Sequence, residues 1–478
     1  MKIHKPDVYF AYPPSQFDLS LLETGNEVDV LARDLFPNGV IVESRDDLAY
    51  TKKLIGDHTD IIYQPVFETD AYKTACDIFV WNEVAQGYDV YEVKASNSGE
   101  DKAAKDKLYA HDLAFQYNVL RELSVPLNKL CLIRLNREYV RGSSLNIEEL
   151  FTKEDFTDRV LQIADHVKDD MKQAYEVLSS DAEPFGSCAC IIRGRSAQCT
   201  AFSYSNPQVP EYSVHDIARI GSSKKKLQDL VDRSILSIYD VPDDYQFSVP
   251  QQNQILIAKN GQSIICKEEI RSFLNDLRYP LSFLDYETFP AGVPRFPGYH
   301  PFDQIPFQFS LHVLDEDAEE CSHSEFLFSE SSNPDKALIV ALREAMPATG
   351  SVIVWNKSFE MTINSRLVDR NPEYRSFLED INARIVDLKE IFDKQYFVHP
   401  DFKGRTSIKR ILPVLAPELS YKALDIQEGA TASDTWNKIV SGEYSKEVAV
   451  QKIQSLKIYC GLDTYAMYAI WKYLMIMF

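Results

Sequence analysis

The sequence has few cysteines for its length, no long hydrophobic run and no excess of positive charge. Eight cysteines in 478 residues are too sparse for the disulfide framework of a small secreted protein. The first residues, MKIHKP, lack the apolar core of a signal peptide. The apolar run 465–478 contains Lys472 and is shorter than the roughly 20 residues that span a bilayer. These absences predict a soluble, cytoplasmic protein with reduced thiols and no membrane partner.

Positive charge is scarce, with 51 Lys and Arg against 72 Asp and Glu and a net charge of -21. A protein that binds nucleic acid usually carries a basic patch, so this balance argues against a broad surface that coats a duplex. It leaves open a narrow active-site channel. Carboxylates that bind metal also add formal negative charge. Hydrophobic residues make up 45%, enough for sizeable cores, and the length allows about three domains.

Two carboxylates end an apolar segment at the start of the C-terminal half. Asp285 and Glu287 follow 282–284 at positions i and i+2, which share one face of a strand. Two such carboxylates repel one another, so that one of them has a higher pKa than the other. A divalent cation relieves this repulsion, and hard oxygen ligands suit Mg²⁺ or Mn²⁺. The ordinary alternative is a half-buried edge strand with one solvated face.

Three later residues extend this pattern in chain order. Glu360 lies in the first turn of a helix that follows the apolar segment 351–355. Tyr459 and Asp463 lie at i and i+4 on a final helix predicted from about 445 to 478, so they share one helix face. Each residue has an ordinary alternative as a solvated acid or a packed tyrosine.

The order of these motifs resembles the RNase H-like DEDD exonucleases of the tyrosine subclass, over roughly residues 281–475. The resemblance implies an RNase H-like mixed sheet flanked by helices, with two bound Mg²⁺ or Mn²⁺ ions. Tyr459 would position the attacking water. The third acid of that family is normally Asp, whereas Glu360 is longer by one methylene. The implied metal ligands are Asp285, Glu287, Glu360 and Asp463.

The N-terminal half carries a second set of polar residues on predicted strands. Glu92 and Lys94 share one strand face, and Asp77 lies one strand earlier. An Asp and a Glu can hold Mg²⁺ beside a phosphate, while a Lys can position water and stabilise developing charge. The alternative is a surface ion pair. The pattern predicts strands over 61–67, 74–81, 88–95 and 130–135, and helices over 21–36 and 108–123.

This spacing resembles the RecB-like branch of the PD-(D/E)XK nucleases, over roughly residues 20–140. The resemblance implies a restriction-endonuclease-like mixed sheet that binds one or two Mg²⁺ or Mn²⁺ ions. Asp77, Glu92 and Glu27 would be metal ligands, Lys94 the catalytic lysine and Gln116 an orienting residue. Glu27 and Gln116 have an alternative as ordinary solvated helix residues.

Three cysteines, Cys188, Cys190 and Cys199, follow this region. RecB-like nucleases of the CRISPR-associated type hold an iron–sulfur cluster with four cysteines, one of them near the N-terminus. No cysteine precedes Cys76, so the expected first ligand is missing and the four-thiolate set is incomplete. A zinc site that uses His215, or three free thiols, are the alternatives.

Together these motifs predict an α/β protein with a RecB-like domain at 1–200, a helical linker region at 201–279 and an RNase H-like domain at 280–478. Phrases such as FLDYET, VWNKSFE and YCGLDT resemble an uncharacterised bacterial family that is described as a domain of unknown function. The expected activity is metal-dependent hydrolysis of DNA phosphodiester bonds. The C-terminal domain would be a 3′ to 5′ exonuclease on single strands or ends, and the N-terminal domain a second nuclease or a DNA-binding module. An RNA exonuclease, or a nucleic-acid-binding scaffold with a degenerate site, are the alternatives.

Overall fold

The computed structural model describes residues 5–96, 102–180 and 188–477, which form a mixed α/β protein. None of the described helices is both long and apolar enough to cross a membrane. The helices are α1 (Pro6–Phe10), α2 (Gln16–Ala32), α3 (Leu48–Gly56), α4 (Lys102–Glu122), α5 (Ile147–Leu150), α6 (Thr157–Ser179), α7 (Phe202–Ser205), α8 (Lys224–Asp232), α9 (Val249–Asn260), α10 (Lys267–Asn275), α11 (Asp335–Ala345), α12 (Lys357–Arg370), α13 (Arg375–Arg384), α14 (Glu390–Asp393), α15 (Ile408–Leu415), α16 (Gly429–Val440) and α17 (Lys446–Ile476). The strands are β1 (Val40–Ile41), β2 (Ile61–Tyr63), β3 (Val66–Glu68), β4 (Lys73–Ala75), β5 (Ile78–Asn82), β6 (Gly87–Lys94), β7 (Leu127–Leu135), β8 (Phe151–Asp155), β9 (Ile264–Ile265), β10 (Leu281–Pro290), β11 (Gln304–Leu314), β12 (Ser322–Leu327), β13 (Val352–Val354), β14 (Ile385–Asp387) and β15 (Phe397–Val398).

The chain divides into two compact units, whose boundaries differ from the expected ones at 200 and 280. The N-terminal unit comprises the described residues of 14–184 and 290–303, and the C-terminal unit comprises the remainder. Residues 188–279 belong to the C-terminal unit, where β9 pairs with β15. Residues 290–303 join the N-terminal unit, where the Arg141 guanidinium donates to the Pro294 carbonyl at 2.7 Å.

The N-terminal unit is built on a six-stranded mixed sheet in the order β1-β2-β5-β6-β7-β8. β6 pairs parallel with β7 and antiparallel with β5, so the central strands are shielded from water on both edges. The segment predicted as one strand over 61–67 forms two strands, because Gln64 adopts a left-handed conformation with φ of 54°. Such a conformation breaks strand geometry. The sheet presents the end of β6, with Glu92 and Lys94, to α4.

The C-terminal unit is built on a five-stranded mixed sheet in the order β12-β11-β10-β13-β14. β10 lies at its centre and alternates between two packed faces. Leu284 and Tyr286 join an apolar core with α11 and α12. Phe283 points the other way, with its ring centroid 5.9 Å from Tyr468 and 6.2 Å from Trp471 on α17. Asp285 therefore shares the face of the sheet that α17 covers.

The last helix, α17, is continuous from Lys446 to Ile476. It begins at Ser445, whose hydroxyl accepts from the Val448 amide and satisfies one of the free amides of the first turn. Its buried side includes Leu456, Cys460 and Met467, which recur at the spacing of a single helix face. Polar residues of α17 at the same spacing therefore also lie on its buried side.

Candidate functional site

Four carboxylates, here called the carboxylate cluster, lie on three elements of the C-terminal unit. Two come from β10, one from the first turn of α12 and one from the middle of α17. The β10 pair points towards α17 by strand alternation, and α12 begins directly after β13, the parallel neighbour of β10. The acids predicted as one site are therefore neighbours. The cluster consists of Asp285, Glu287, Glu360 and Asp463.

Three members of the carboxylate cluster are buried and Asp285 is half-buried, and charges within the cluster raise the pKa values of Asp285, Glu287 and Glu360. Burial, then repulsion by Asp463, raises the pKa of Asp285 well above its usual range. Burial and the charges of Asp285 and Asp463 do the same to Glu287. Burial raises the pKa of Asp463 to about 6, although hydrogen bonds from Tyr421 and Tyr459 act in the opposite direction. Such repulsion between buried carboxylates is removed when they share a proton or a cation.

Glu360 lies near enough to Asp285 and Glu287 for their charges to raise its pKa. Its side chain is only 2% exposed, and its pKa is raised by burial and by Asp285 and Glu287. Its Oε2 atom is buried and has no hydrogen-bond partner within the described part of the chain. A buried carboxylate oxygen without a donor is costly. The carboxylate oxygens of the cluster are ligands that suit a hard divalent cation.

Asp387, at the end of β14, accepts hydrogen bonds from the backbone and is not counted in the carboxylate cluster. Its two carboxylate oxygens accept from the backbone amides of Lys357 at 2.9 Å and Lys389 at 3.0 Å. The first of these amides opens α12, so Asp387 compensates the positive end of that helix. Through this bond it helps to hold the turn that carries Glu360.

Cys460 joins the carboxylate cluster although the sequence motifs did not single it out. One ligand atom each of Asp285, Glu287 and Cys460 lies within 4.8 Å of the other two. The Cys460 thiol donates to Asp285 Oδ2 at 3.8 Å and is fully buried. Cys460 precedes Asp463 by three positions on α17, and this i, i+3 spacing is the one signal that could have placed it in the site.

A lysine and a second tyrosine complete the surroundings of Tyr459. Lys409 Nζ donates to the Tyr459 hydroxyl at 2.8 Å. The Tyr421 hydroxyl donates to Asp463 Oδ1 at 2.6 Å. Lys409 Nζ also lies 5.3 Å and 4.8 Å from the ring centroids of Tyr421 and Tyr459, within the range of cation–π attraction. The cluster thus has one fixed cation at its edge, which no local motif indicated.

The N-terminal unit brings four of its predicted site residues together around β6. Lys94 Nζ lies 2.9 Å from Glu92 Oε1, and Gln116 Nε2 donates to Glu92 Oε2 at 2.6 Å. Asp77 Oδ2 accepts from the Val93 amide at 2.7 Å. Burial, then the charge of Glu92, raises the pKa of Asp77 well above its usual range.

Lys94 is held as a cation. Burial lowers the pKa of its ammonium group, but Glu92 and Asp112 outweigh burial, and the net pKa lies above its usual value. Asp112 Oδ2 accepts from Lys94 Nζ at 2.9 Å. The side chain can therefore stabilise negative charge at neutral pH but cannot act as a base there.

Asp29, rather than Glu27, is the α2 acid next to Asp77. Gln64 Nε2 donates to Asp29 at 3.2 Å and to Asp77 at 3.3 Å, and so links the two acids. Residues i and i+2 lie about 200° apart around a helix, so Glu27 points elsewhere and has Arg295 as its charged neighbour. In the sequence, the i, i+4 spacing of Asp29 and Arg33, which form an ion pair, was the signal that could have indicated which face of α2 carries Asp29.

The three cysteines Cys188, Cys190 and Cys199 converge, with their sulfur atoms within 4.8 Å of one another. Burial raises the pKa of the Cys188 thiol, but hydrogen bonds from Asn206 and Cys190 outweigh it and leave the pKa lowered. No fourth Cys, His, Asp or Glu joins this set among the described residues. His215 is otherwise engaged, since its Nε2 donates to the Ile191 carbonyl at 2.6 Å and its Nδ1 lies 3.2 Å from the Ser213 hydroxyl.

The cysteine set makes a direct prediction about bound iron. Because a four-thiolate cluster needs four thiolates, we expect anaerobically purified protein to be colourless and free of iron. The measurement is an ultraviolet–visible spectrum together with an iron assay. Cys266→Ser, a change outside the set, serves as the control for Cys188→Ser. Brown protein whose iron is lost in Cys188→Ser but kept in Cys266→Ser would contradict this expectation.

Comparison with known proteins shows that part of this chain is similar to a described family. Residues 282–407 match the family model "Domain of unknown function (DUF2779)". The matched range includes Asp285, Glu287 and Glu360 and ends before Lys409 and α17.

Two curated bacterial proteins are similar over a larger part of the chain. "Uncharacterized protein UU173" of Ureaplasma parvum is 26% identical over 294 residues, 56% of this chain and 40% of that protein. "Uncharacterized protein MG366 homolog" of Mycoplasma pneumoniae is 26% identical over 230 residues, 44% of this chain and 34% of that protein. The alignments span less than half the length of either relative. No solved structure matches the chain significantly.

Proposed function

We propose that this protein is a metal-dependent nuclease that hydrolyses phosphodiester bonds of DNA. The C-terminal unit would act as a 3′ to 5′ exonuclease on single strands or ends. The N-terminal unit would be a second, RecB-like nuclease site or a module that binds DNA. The resemblances to DEDD and RecB-like nucleases supply the reaction class, and the side-chain arrangement supplies its chemical support.

The observation that carries the proposal is the convergence of four carboxylates, three of them buried and Asp285 half-buried, from three elements of the C-terminal unit. Nearby carboxylates of the cluster raise the pKa values of Asp285, Glu287 and Glu360. The Lys409 ammonium group is an electrostatic neighbour of Asp285, Glu287 and Asp463 and acts against the rise in their pKa values. A fold that needed only packing would place apolar residues here, because buried unpaired charges are destabilising. The arrangement is suited to Mg²⁺ or Mn²⁺.

The residues around the cluster have separate tasks in this proposal. Divalent ions held by the four acids would supply charge stabilisation for the attacking and leaving oxygens of a phosphodiester. The Tyr459 hydroxyl, oriented by Lys409 at 2.8 Å, would position the attacking water. Tyr421 donates to Asp463 and so fixes the orientation of that ligand, as hydrogen bonds to metal ligands generally do.

In the N-terminal unit, Asp77 and Glu92 would hold a metal ion and Lys94 would stabilise developing charge. Gln116 donates to Glu92 and would keep one of its oxygens in a fixed direction. Glu27 is the further ligand that the resemblance implies, whereas Gln64 links Asp29 to Asp77.

The test is cleavage of end-labelled single-stranded DNA, duplex DNA and RNA with Mg²⁺, Mn²⁺ or EDTA. We expect stepwise shortening of single-stranded DNA from its 3′ end, only with a divalent ion. Labels at the 5′ and 3′ ends distinguish the polarity. Faster shortening of RNA than of DNA would assign the RNA alternative. Cleavage that persists in EDTA, or the absence of cleavage on all three substrates, would refute the proposal.

Lys94→Ala separates the two sites. If the N-terminal site is active, this variant should lose about 10²-fold of the endonucleolytic or second exonucleolytic product, as expected for removal of one electrostatic stabiliser. Its 3′ to 5′ product should stay unchanged. Lys129→Ala, on the neighbouring strand β7 and paired with Asp155, is the matched control. A Lys94→Ala product pattern identical to wild type would indicate a binding module instead of a second nuclease.

A further inference from the structure

A cavity in the C-terminal unit has arginines on several of its walls. Its volume is about 680 Å³, and it lies between the segments 194–196, 215–222, 248–251 and 393–406. Arg195, Arg219 and Arg405 line it, beside the acids Asp216 and Asp393. Three arginines against two acids give the lining a small net positive charge, in a chain with a net charge of -21.

The arginines are not equivalent. Arg195 is committed to the wall, since its Nη2 donates to Asp216 Oδ2 at 2.6 Å and to the Glu211 carbonyl at 2.7 Å. Arg405 is 59% exposed in its side chain and lies 3.7 Å from Asp216 Oδ1, a longer contact. Arg219 is exposed, with a left-handed backbone at φ of 54°. Arg219 and Arg405 are thus the two that can turn to a ligand.

The walls of this cavity are joined by a buried glutamine. Gln254 is 1% exposed, and its Nε2 donates to the carbonyls of Asp216 at 2.9 Å and Lys403 at 3.2 Å. Its Oε1 accepts from the Ala218 amide at 2.8 Å. Gly404 packs so closely against this amide that a Cβ there would lie 2.2 Å from Gln254 Oε1. One side chain therefore holds the arginine-bearing segments in a fixed relation.

The cavity wall continues to the carboxylate cluster through a basic segment, residues 403–417. This segment contains Lys403, Arg405, Lys409 and Arg410 and no acidic residue. Trp355 Nε1, at the end of β13, donates to the Thr406 carbonyl at 3.1 Å. Three residues later, Lys409 donates to the Tyr459 hydroxyl. Three residues span at most about 11 Å, so the cavity rim at Thr406 is close to the site.

We propose that this cavity binds the phosphodiester backbone of a single nucleic-acid strand whose end lies at the carboxylate cluster. Arg219 and Arg405 would neutralise backbone phosphates, and Lys409 would lie where the strand reaches the carboxylate cluster. Positive grooves of this kind follow the backbone of single strands without reading sequence. The inference rests on the proposed nuclease function and adds the route of its substrate. It also reconciles an acidic protein with a polyanionic substrate, because the substrate would meet basic side chains along this route.

The test measures binding without cleavage. Fluorescence anisotropy of an end-labelled single strand of about 12 nucleotides, within the range of single-strand binding sites, is recorded in EDTA at several salt concentrations. Each phosphate contact contributes about -0.7 to the slope of log K against log salt. Arg219→Gln with Arg405→Gln should therefore reduce the magnitude of the slope by about 1.4 and weaken binding about tenfold or more at low salt. Arg375→Gln, an exposed arginine on α13 paired with Glu379, should change neither.

Arg405→Lys tests whether charge or packing is responsible. It keeps the charge, so it should retain most of the slope that Arg405→Gln loses, whereas a folding defect would not be rescued. A double variant with the wild-type slope would overturn the inference. So would a double variant that binds inorganic phosphate less tightly but binds the strand normally, because the cavity would then be a small-anion site.

The two proposals fail separately. Arginine-dependent strand binding by a protein that cleaves no substrate would keep the channel and remove the nuclease activity. Metal-dependent cleavage together with binding that is indifferent to Arg219 and Arg405 would keep the nuclease and remove the channel.

Discussion

Asp285→Asn is expected to abolish metal-dependent cleavage by the C-terminal unit while raising the thermal stability of the metal-free protein. The activity should fall about 10²- to 10³-fold or more, since one preorganised electrostatic group is removed from a site that depends on it. The stability should rise because asparagine has nearly the same shape but removes one of several mutually repelling buried charges. Both are measured on the full chain, by cleavage of labelled single-stranded DNA and by thermal unfolding in EDTA.

This opposite change in activity and stability distinguishes a metal site from a packed core. If Asp285 were structural and hydrogen-bonded, its loss would lower both quantities. Asp317→Asn, an exposed acid after β11, is the matched control and should alter neither. A variant that keeps wild-type cleavage would refute the assignment of Asp285. A variant that unfolds at a lower temperature in EDTA would show that its charge is already compensated in the protein.

The second large effect is a fall in the stability of the metal-free protein as the pH rises. The pKa of Asp463 is raised from 3.8 to about 6 in the folded protein, and Asp285, Glu287 and Glu360 are raised as well. Between the unfolded and folded pKa values, the folded state holds more protons than the unfolded state. Stability therefore decreases as the pH increases through this window. Below pH 3.8 the contribution of Asp463 is fully present, and above about pH 6 it is lost.

The size of this effect follows from the shift. Roughly two pKa units at about 1.4 kcal/mol each give roughly 3 kcal/mol for Asp463 alone. Saturating Mn²⁺ should reverse the trend, because the ion binds deprotonated carboxylates and stabilises the folded state increasingly towards neutral pH. Thermal unfolding from pH 4 to 8, in EDTA and in Mn²⁺, measures both curves.

Asp463→Asn supplies the control for this pH dependence. It should flatten the EDTA curve and reduce the difference that Mn²⁺ makes, whereas Asp317→Asn should preserve both. A stability in EDTA that rises from pH 4 to 7, with a rise that depends on Asp463, would contradict the cluster as a cation site. So would a Mn²⁺ effect that does not depend on pH.

Several parts of the site were accessible to sequence patterns because they depend on local geometry. The period of two along β10 puts Asp285 and Glu287 on one face, and the helical period puts Tyr459 and Asp463 on one face of α17. Glu92 and Lys94 follow the first of these rules on β6. These pairs are determined by backbone geometry within a single element, so no tertiary information was needed to predict them.

Other parts followed incompletely from the sequence. The strand over 61–67 is interrupted at Gln64 because of its left-handed backbone, and the helix predicted over 108–123 begins earlier, at Lys102. Residues 201–279 read as a linker region because their elements are short, yet β9 pairs with β15 at long range. Pairing between distant segments leaves no periodic signal in either of them.

The sequence by itself determined the mixed α/β class, the order of the acidic motifs and the residues that share a face within each strand or helix. The tertiary structure decided which faces meet. It placed Cys460 and Tyr421 at the carboxylate cluster, set Lys409 against Tyr459, and turned Asp29 rather than Glu27 towards Asp77. The physical reason is that local periodicity orients a side chain about its own element. Only the packing of β10 between β13 and β11, under α17, gives Glu360 and Asp285 common surroundings.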